Sequence, residues 1–202
     1  MPAEPAVRLA PGRAILTLDL ALKLALVVLL LLAVVFPDWE QFEGKAIGTR
    51  ILTYPLSGLL VPAGWWLFFR GRPYPFAADV VVILPFVIDT AGNAANLYNS
   101  IWWWDDANHF VNWGLLTAAF LLVVRPLRLT WWNLLTLGIG FGAATAIAWE
   151  VLEYFAFIRN SPELETAYTD TLGDLVLGLC GSTAASGLMA VGYQHRELPA
   201  RS

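Results

Sequence analysis

Six carboxylates and one imidazole stand where the apolar stretches of this chain begin or end. Asp105, Asp106 and His109 open one stretch, Glu150 and Glu153 lie near the close of the next, and Asp170 and Asp174 open the last. Ionisable groups at membrane depth are costly, so they mark function, a water-filled cavity or a bound ion by default. Residues three or four apart share a helical face. His109 therefore points with Asp105 or Asp106, Glu150 with Glu153, and Asp170 with Asp174. Carboxylates with one imidazole suit Zn, Mn, Fe or Mg. Acid-x-x-acid pairs on neighbouring helices are also how helical bundles build carboxylate metal centres. The expected metal set is Asp106, His109, Glu150, Glu153, Asp170 and Asp174, with Glu150, Glu153 and His109 as the catalytic candidates.

The elements that must position these groups are membrane helices. The chain has 202 residues, 58% hydrophobic and 14% charged, with a mean hydropathy of +0.61. That is the composition of an integral membrane protein rather than a soluble domain. Apolar runs at 14–36, 51–69, 76–98, 106–125, 131–158 and 170–193 are each close to the ~20 residues that cross a bilayer as a helix. The fold expected is all-α: a polytopic membrane protein of about six transmembrane helices in one domain, 1–202. Pro55 and Pro62 interrupt the second run and Pro85 the third. Membrane helices tolerate prolines where neighbours satisfy the freed carbonyls. The first run is too long for a secretory signal and has no small-x-small cleavage site after it, so it reads as a retained helix.

Lysine and arginine set the expected orientation. Arg8, Arg13, Arg70, Arg72, Arg125, Arg128, Arg196 and Arg201 fall on one side, against Lys45, Arg50 and Arg159 on the other. The positive-inside rule puts both termini in the cytoplasm. Trp65, Trp66, Trp131 and Trp132 then mark the inner interface, and Trp39 with Trp102, Trp103 and Trp104 the outer one. The net charge of −4 argues against a nucleic-acid partner. Cys180 is the only cysteine, which excludes an internal disulfide, and it reads as a small buried apolar residue.

Alternation of the spans brings the acid groups to one leaflet whichever way the protein faces. The third and fifth spans end where the fourth and sixth begin, so Asn93, Asn96, the Asp105–His109 segment, both glutamates and both late aspartates share a side. Glu150 is eight residues before Ile158, roughly 12 Å below that end at 1.5 Å per residue. Asp89, Asn93 and Asn96 form a polar stripe that either lines the same pocket or bonds between helices. Asp105 and Asp170 could also act simply as helix N-caps, and His109 as a packing residue. Lys23 is expected to pair with Asp19 on its own helix, Asp79 to be interfacial, and His195 to be solvated. With little basic help in the spans, the carboxylates need bound protons, a watery vestibule or a metal ion. Small residues four apart (Gly138 and Gly142, Gly178 and Ser182, Gly181 and Ala185) are expected to pack the last two helices closely. The loop 159–169 is either a lid over the cluster or a solvated connection.

Three motifs carry a family likeness. Asp-x-x-x-His-Phe (Asp105 to Phe110), Trp-Glu-x-x-Glu-Tyr (Trp149 to Tyr154) and Asp-Thr-x-x-Asp-Leu-x-x-Gly (Asp170 to Gly178) resemble the YjdF-like group of uncharacterised bacterial inner-membrane proteins. More distantly the chain is similar to VanZ-like proteins. Asp106-Ala107 stands where those have Asp-Lys, and Asp174 where VanZ-like proteins have Asn, so this site is the more acidic. The resemblance implies a multi-pass protein of the bacterial inner membrane with the acid–His cluster as its site, and it supplies no activity.

Three functions remain open on these residues. One is a metal-dependent enzyme acting on a lipid or lipid-linked substrate at the outer leaflet. In it the metal lowers the pKa of a bound water and a free carboxylate serves as general base. The second is a cation or proton transporter. The third is an accessory subunit whose acids and aromatics meet a membrane-protein partner.

Overall fold

The computed structural model describes residues 11–124, 127 and 129–197, with side chains placed from 12 to 192. The described residues are helical and contain no strand. Six helices are long and apolar enough to cross a membrane. They are α1 (Pro11–Val35), α2 (Ile47–Gly64), α3 (Phe76–Ala94), α5 (Trp104–Val124), α6 (Trp131–Ala156) and α7 (Ala167–Glu197), with a single short turn of helix, α4 (Leu97–Ser100), between α3 and α5. The arginines at 8, 125, 128, 196 and 201 and the imidazole of His195 lie outside the described side chains, and with them the expected placement of the termini.

Apolar side chains point outward as well as inward, as bilayer solvation requires. Leu20, Leu24, Val28 and Leu31 of α1 are exposed, while Leu26 and Leu30 are buried. The helices fall into two packed groups. In one, α1 and α2 lie on α3; in the other, α5 and α6 lie on α7, and α3 meets α5 between them.

The second group is held by the small residues. A Cβ on Gly138 or Gly142 of α6 would collide with Ser186 and Ser182 of α7. A Cβ on Gly181 would strike the Phe110 carbonyl of α5, and one on Gly178 the Trp113 ring. The expected contact between the last two spans is therefore present, and the same stripe also seats α5.

Pro55 and Pro62 lie inside a continuous α2, and a π-helical stretch, Trp65–Phe69, begins three residues after Pro62, where α2 ends. The missing proline N–H breaks the normal bonding ladder, and a widened turn absorbs the mismatch. The third span ends at Ala94 rather than at 98. Asn96 adopts left-handed backbone, φ 58°, which ends a helix of L-residues. Tyr98 consequently sits on α4 and folds back over α3.

A second polar cluster lies toward the opposite ends of these helices. Lys23 Nζ donates to Asp19 Oδ2 at 2.9 Å, as expected, and also to Asp79 Oδ2 at 2.7 Å. The Tyr74 hydroxyl donates to the same Asp79 oxygen. Asp79, in the first turn of α3, is only 1% exposed: Lys23 reaches across to it, its stem passing 3.7 Å from where a Gly58 Cβ would stand. Burial, reinforced by Asp79, pushes the Tyr74 hydroxyl above the ordinary tyrosine range, which keeps it a donor. Cys180 faces outward instead of being buried.

Candidate functional site

Asp89 of α3 is the hub of one wall. Arg50 Nε donates to its Oδ2 at 2.9 Å and Nη2 to its Oδ1 at 3.3 Å. The Tyr54 hydroxyl donates to Oδ2 and the Tyr98 hydroxyl to Oδ1, each at 2.6 Å. Asn93 Nδ2 bonds the Asp89 carbonyl at 3.0 Å. Three elements, α2, α3 and α4, are pinned by this one carboxylate. Burial, then the neighbouring Asp89 charge, pushes the Tyr98 hydroxyl well above its usual range, so it too stays a donor. Arg50 also donates to the Lys45 carbonyl.

The facing wall comes from α5 and α6. A cavity with about 600 Å³ of atom-free space, open to the exterior, is lined by Arg50, Tyr54, Asp89, Asp105, His109 and Glu153 among others. His109 lies one helical turn below Asp105 on the same face of α5. Its Nε2 stands 3.7 Å from Asp105 Oδ1 and 3.5 Å from Asp174 Oδ1 on α7. Its Nδ1 stands 3.9 Å from Glu150 Oε1 on α6 and, though buried, has no hydrogen-bond partner.

These separations are too long for hydrogen bonds. The two separations from Nε2 do match the edges of a ligand polyhedron: tetrahedral bonds of ~2.1 Å give donor–donor edges of roughly 3.4 Å, while Glu150 faces the other ring nitrogen. One ligand atom each from Asp105, His109 and Asp174 lies within 4.8 Å of the others. Glu150 and Asp174 are 7% and 5% exposed. Among the described residues, no lysine or arginine pairs with Asp105, Glu150, Glu153 or Asp174.

The predicted residues therefore divide. His109, Glu150 and Asp174 come together, and Glu153 lines the adjoining cavity. Asp106 and Asp170 are exposed, and on the α5 face it is Asp105 that accompanies His109. A carboxylate four residues before a histidine falls on its face, whereas Asp106, three before, is rotated outward here. Arg159 stacks over Phe155 at 5.4 Å, away from the cluster, and the loop it begins is wound into 3-10 turns, Ile158–Asn160 and Pro162–Glu165.

Sequence reasoning missed Arg50, Tyr54 and Tyr98. Arg50 reads from sequence as a loop residue, but it lies in the first turn of α2, which starts at Ile47; its position next to the apolar run from Ile51 is the available signal. The stripe of Asp89, Asn93 and Asn96 had two open readings. Asp89 takes both, lining the cavity and bonding between helices, and Asn93 braces it.

No curated protein and no solved structure shows significant similarity to the chain. A family model described as "Predicted membrane protein (DUF2238)" matches residues 20–196. That span takes in every helix of both walls, and the chain belongs to this membrane-protein family.

Proposed function

We propose that the protein is a metal-dependent membrane enzyme that hydrolyses an ester or phosphoryl bond in a lipid or lipid-linked substrate. The observation that carries this reading is the approach of Asp105 and Asp174 oxygens to His109 Nε2 at 3.7 and 3.5 Å. Acids gathered beside an imidazole, with no basic residue paired to them, call for a compensating cation. Asp105, His109 and Asp174 would hold a divalent ion at the Nε2 side of the imidazole, with Glu150 on the Nδ1 side. Such an ion supplies Lewis acidity and a more acidic water at neutral pH.

The chain's own residues have separable tasks. Glu150 or Glu153 takes a proton from water as the water oxygen bonds to the acyl carbon or phosphorus. The bond to the alcohol oxygen then breaks, and that oxygen receives the proton back from the same carboxyl. Arg50, Tyr54 and Tyr98, locked on Asp89, keep the opposite wall rigid and set the cavity's width. The motif likeness to YjdF-like proteins supports a bacterial inner-membrane location, with the site on the outer side.

A transport reading draws on the second ionisable cluster at Lys23. The apolar layer of Leu26, Leu30, Tyr54 and Ile83 packs between that cluster and the Asp89 wall, which favours a one-sided pocket. Equilibrium dialysis of purified protein against Zn²⁺ and Mn²⁺, followed by hydrolysis assays on fluorogenic ester and phosphate amphiphiles, tests the proposal. One ion per chain and metal-dependent turnover that either Glu150→Gln or Glu153→Gln abolishes are expected. Absence of stoichiometric metal, with cation flux into proteoliposomes, would replace it with transport.

A further inference from the structure

The polar cavity has an apolar neighbour. A groove with about 880 Å³ of atom-free space runs between α2 and α6, lined by Thr49, Thr53, Leu152, Phe155 and Ala156 among others. Four residues, Arg50, Tyr54, Trp149 and Glu153, line both spaces. The two spaces therefore adjoin, one lined by charged groups and the other mostly apolar, with these four side chains at their common boundary.

The groove exists because α2 and α6 barely touch. α2 packs on α3 and α1, while α6 packs on α7 and α5. Tyr54 and Trp149 bridge the gap with ring centroids 6.3 Å apart. Beyond them Leu152 and Phe155 are exposed, at 64% and 56%, on a helix that spans the bilayer. An opening there faces hydrocarbon.

We infer that the gap between α2 and α6 is a lateral portal, in which the alkyl chain of a phospholipid from the surrounding leaflet lies while its head enters the cavity between Arg50 and Glu153. The pairing of a polar space with an apolar one selects this occupant. A purely apolar molecule would leave the charged space unmatched, and a water-soluble one would leave the apolar space wet. An amphiphile with a polar head joined to a chain fits both. The inference rests on the reading of the cavity as the site of a lipid substrate, and gives it an entry route.

The test uses the full-length protein in vesicles doped with a phosphatidic acid analogue carrying a mid-chain diazirine. After photolysis, labelled residues are mapped by mass spectrometry. Labelling concentrated at Thr53, Leu152 and Ala156, over the exposed control positions Leu188 and Val176 of α7, is expected. The variant Thr53→Trp/Ala156→Trp fills the groove from exposed positions and touches none of the acid cluster. It should lower labelling at Leu152 about tenfold, the order expected for evicting two or more methylenes. Equal labelling of groove and control positions, unmoved by the filled variant, means annular lipid only and overturns the portal. The same mapping on metal-free Asp174→Asn separates the two readings: groove labelling that persists there upholds the portal even if metal dependence fails. Metal binding without groove enrichment removes the portal alone.

Discussion

Arg50 lies along Asp89 in a two-point pairing, Nε to Oδ2 at 2.9 Å and Nη2 to Oδ1 at 3.3 Å, with both side chains nine-tenths or so buried. Removing one member of such a pair strands the other in low dielectric, at a cost of about 3–5 kcal/mol. Arg50→Ala and Asp89→Ala should each lower the thermal midpoint in detergent sharply. Arg50→Lys should fall between them and the parent, because an ammonium cannot reproduce the fork. Tyr98→Phe removes one hydrogen bond to a charged acceptor and should cost about 1.5–3 kcal/mol. Unfolding followed by circular dichroism orders the four.

Lys23 neutralises the Asp19 and Asp79 carboxylates. Lys23→Met leaves Asp19 and Asp79 buried together without their cation, and a loss of about 3 kcal/mol or more is expected. The same variant should bind metal as the parent does, because Ile83 and its neighbours separate the two clusters. Thermal unfolding and metal dialysis on one preparation check both halves. A loss of metal binding at unchanged stability would mean the two clusters communicate.

The acid cluster depends on how closely α5 and α7 approach. Gly181 faces the Phe110 carbonyl so tightly that any Cβ there must move backbone, since a carbonyl cannot rotate away as a side-chain tip can. Gly181→Ala should destabilise by about 1–3 kcal/mol and weaken metal binding, because Asp174 and His109 part as the helices do. Gly140→Ala is the contrast. Nothing stands within 4 Å of its Cβ, so the change should be neutral or stabilising by about 0.5–1 kcal/mol through helix propensity. A Gly181→Ala variant with parental unfolding would show that the two helices are not rigidly spaced.

The transmembrane architecture was legible because bilayer hydrocarbon imposes length and apolarity on each span, and α1, α5, α6 and α7 satisfy both plainly. The pairing of acids with His109 followed from helical spacing. What spacing could not resolve was rotation: Asp105 and Asp106 are both near neighbours of His109, and only the packing of α5 on α7 decides which turns inward. Arg50 and Tyr98 were hidden for a different reason. Arg50 is placed by a tertiary contact to Asp89, and Tyr98 by the break at the left-handed Asn96, which sends it back to the same carboxylate. Asp79 reads from sequence as a residue at a helix end; its burial depends on Lys23, 56 positions away.

The choice between the two adjacent aspartates gives the sharpest check on the metal reading. Asp105, its own side chain half exposed, brings Oδ1 to 3.7 Å from His109 Nε2, an approach that the exposed Asp106 does not make. Losing an outer-shell partner typically costs 10–100-fold in metal affinity, so loss of a ligand should cost about 100-fold or more. Asp105→Asn, His109→Ala and Asp174→Asn should each weaken Zn²⁺ or Mn²⁺ binding by that order, while Asp106→Asn leaves it within about twofold. Protons compete for the same oxygens and nitrogen, so affinity should also fall as pH is lowered, in the parent and in Asp106→Asn alike. Isothermal titration across pH 5 to 8, with proton release read from the buffer dependence of the heat, measures both effects. If Asp106→Asn proves as damaging as Asp105→Asn, the two carboxylates share the ion and α5 must turn from its present rotation.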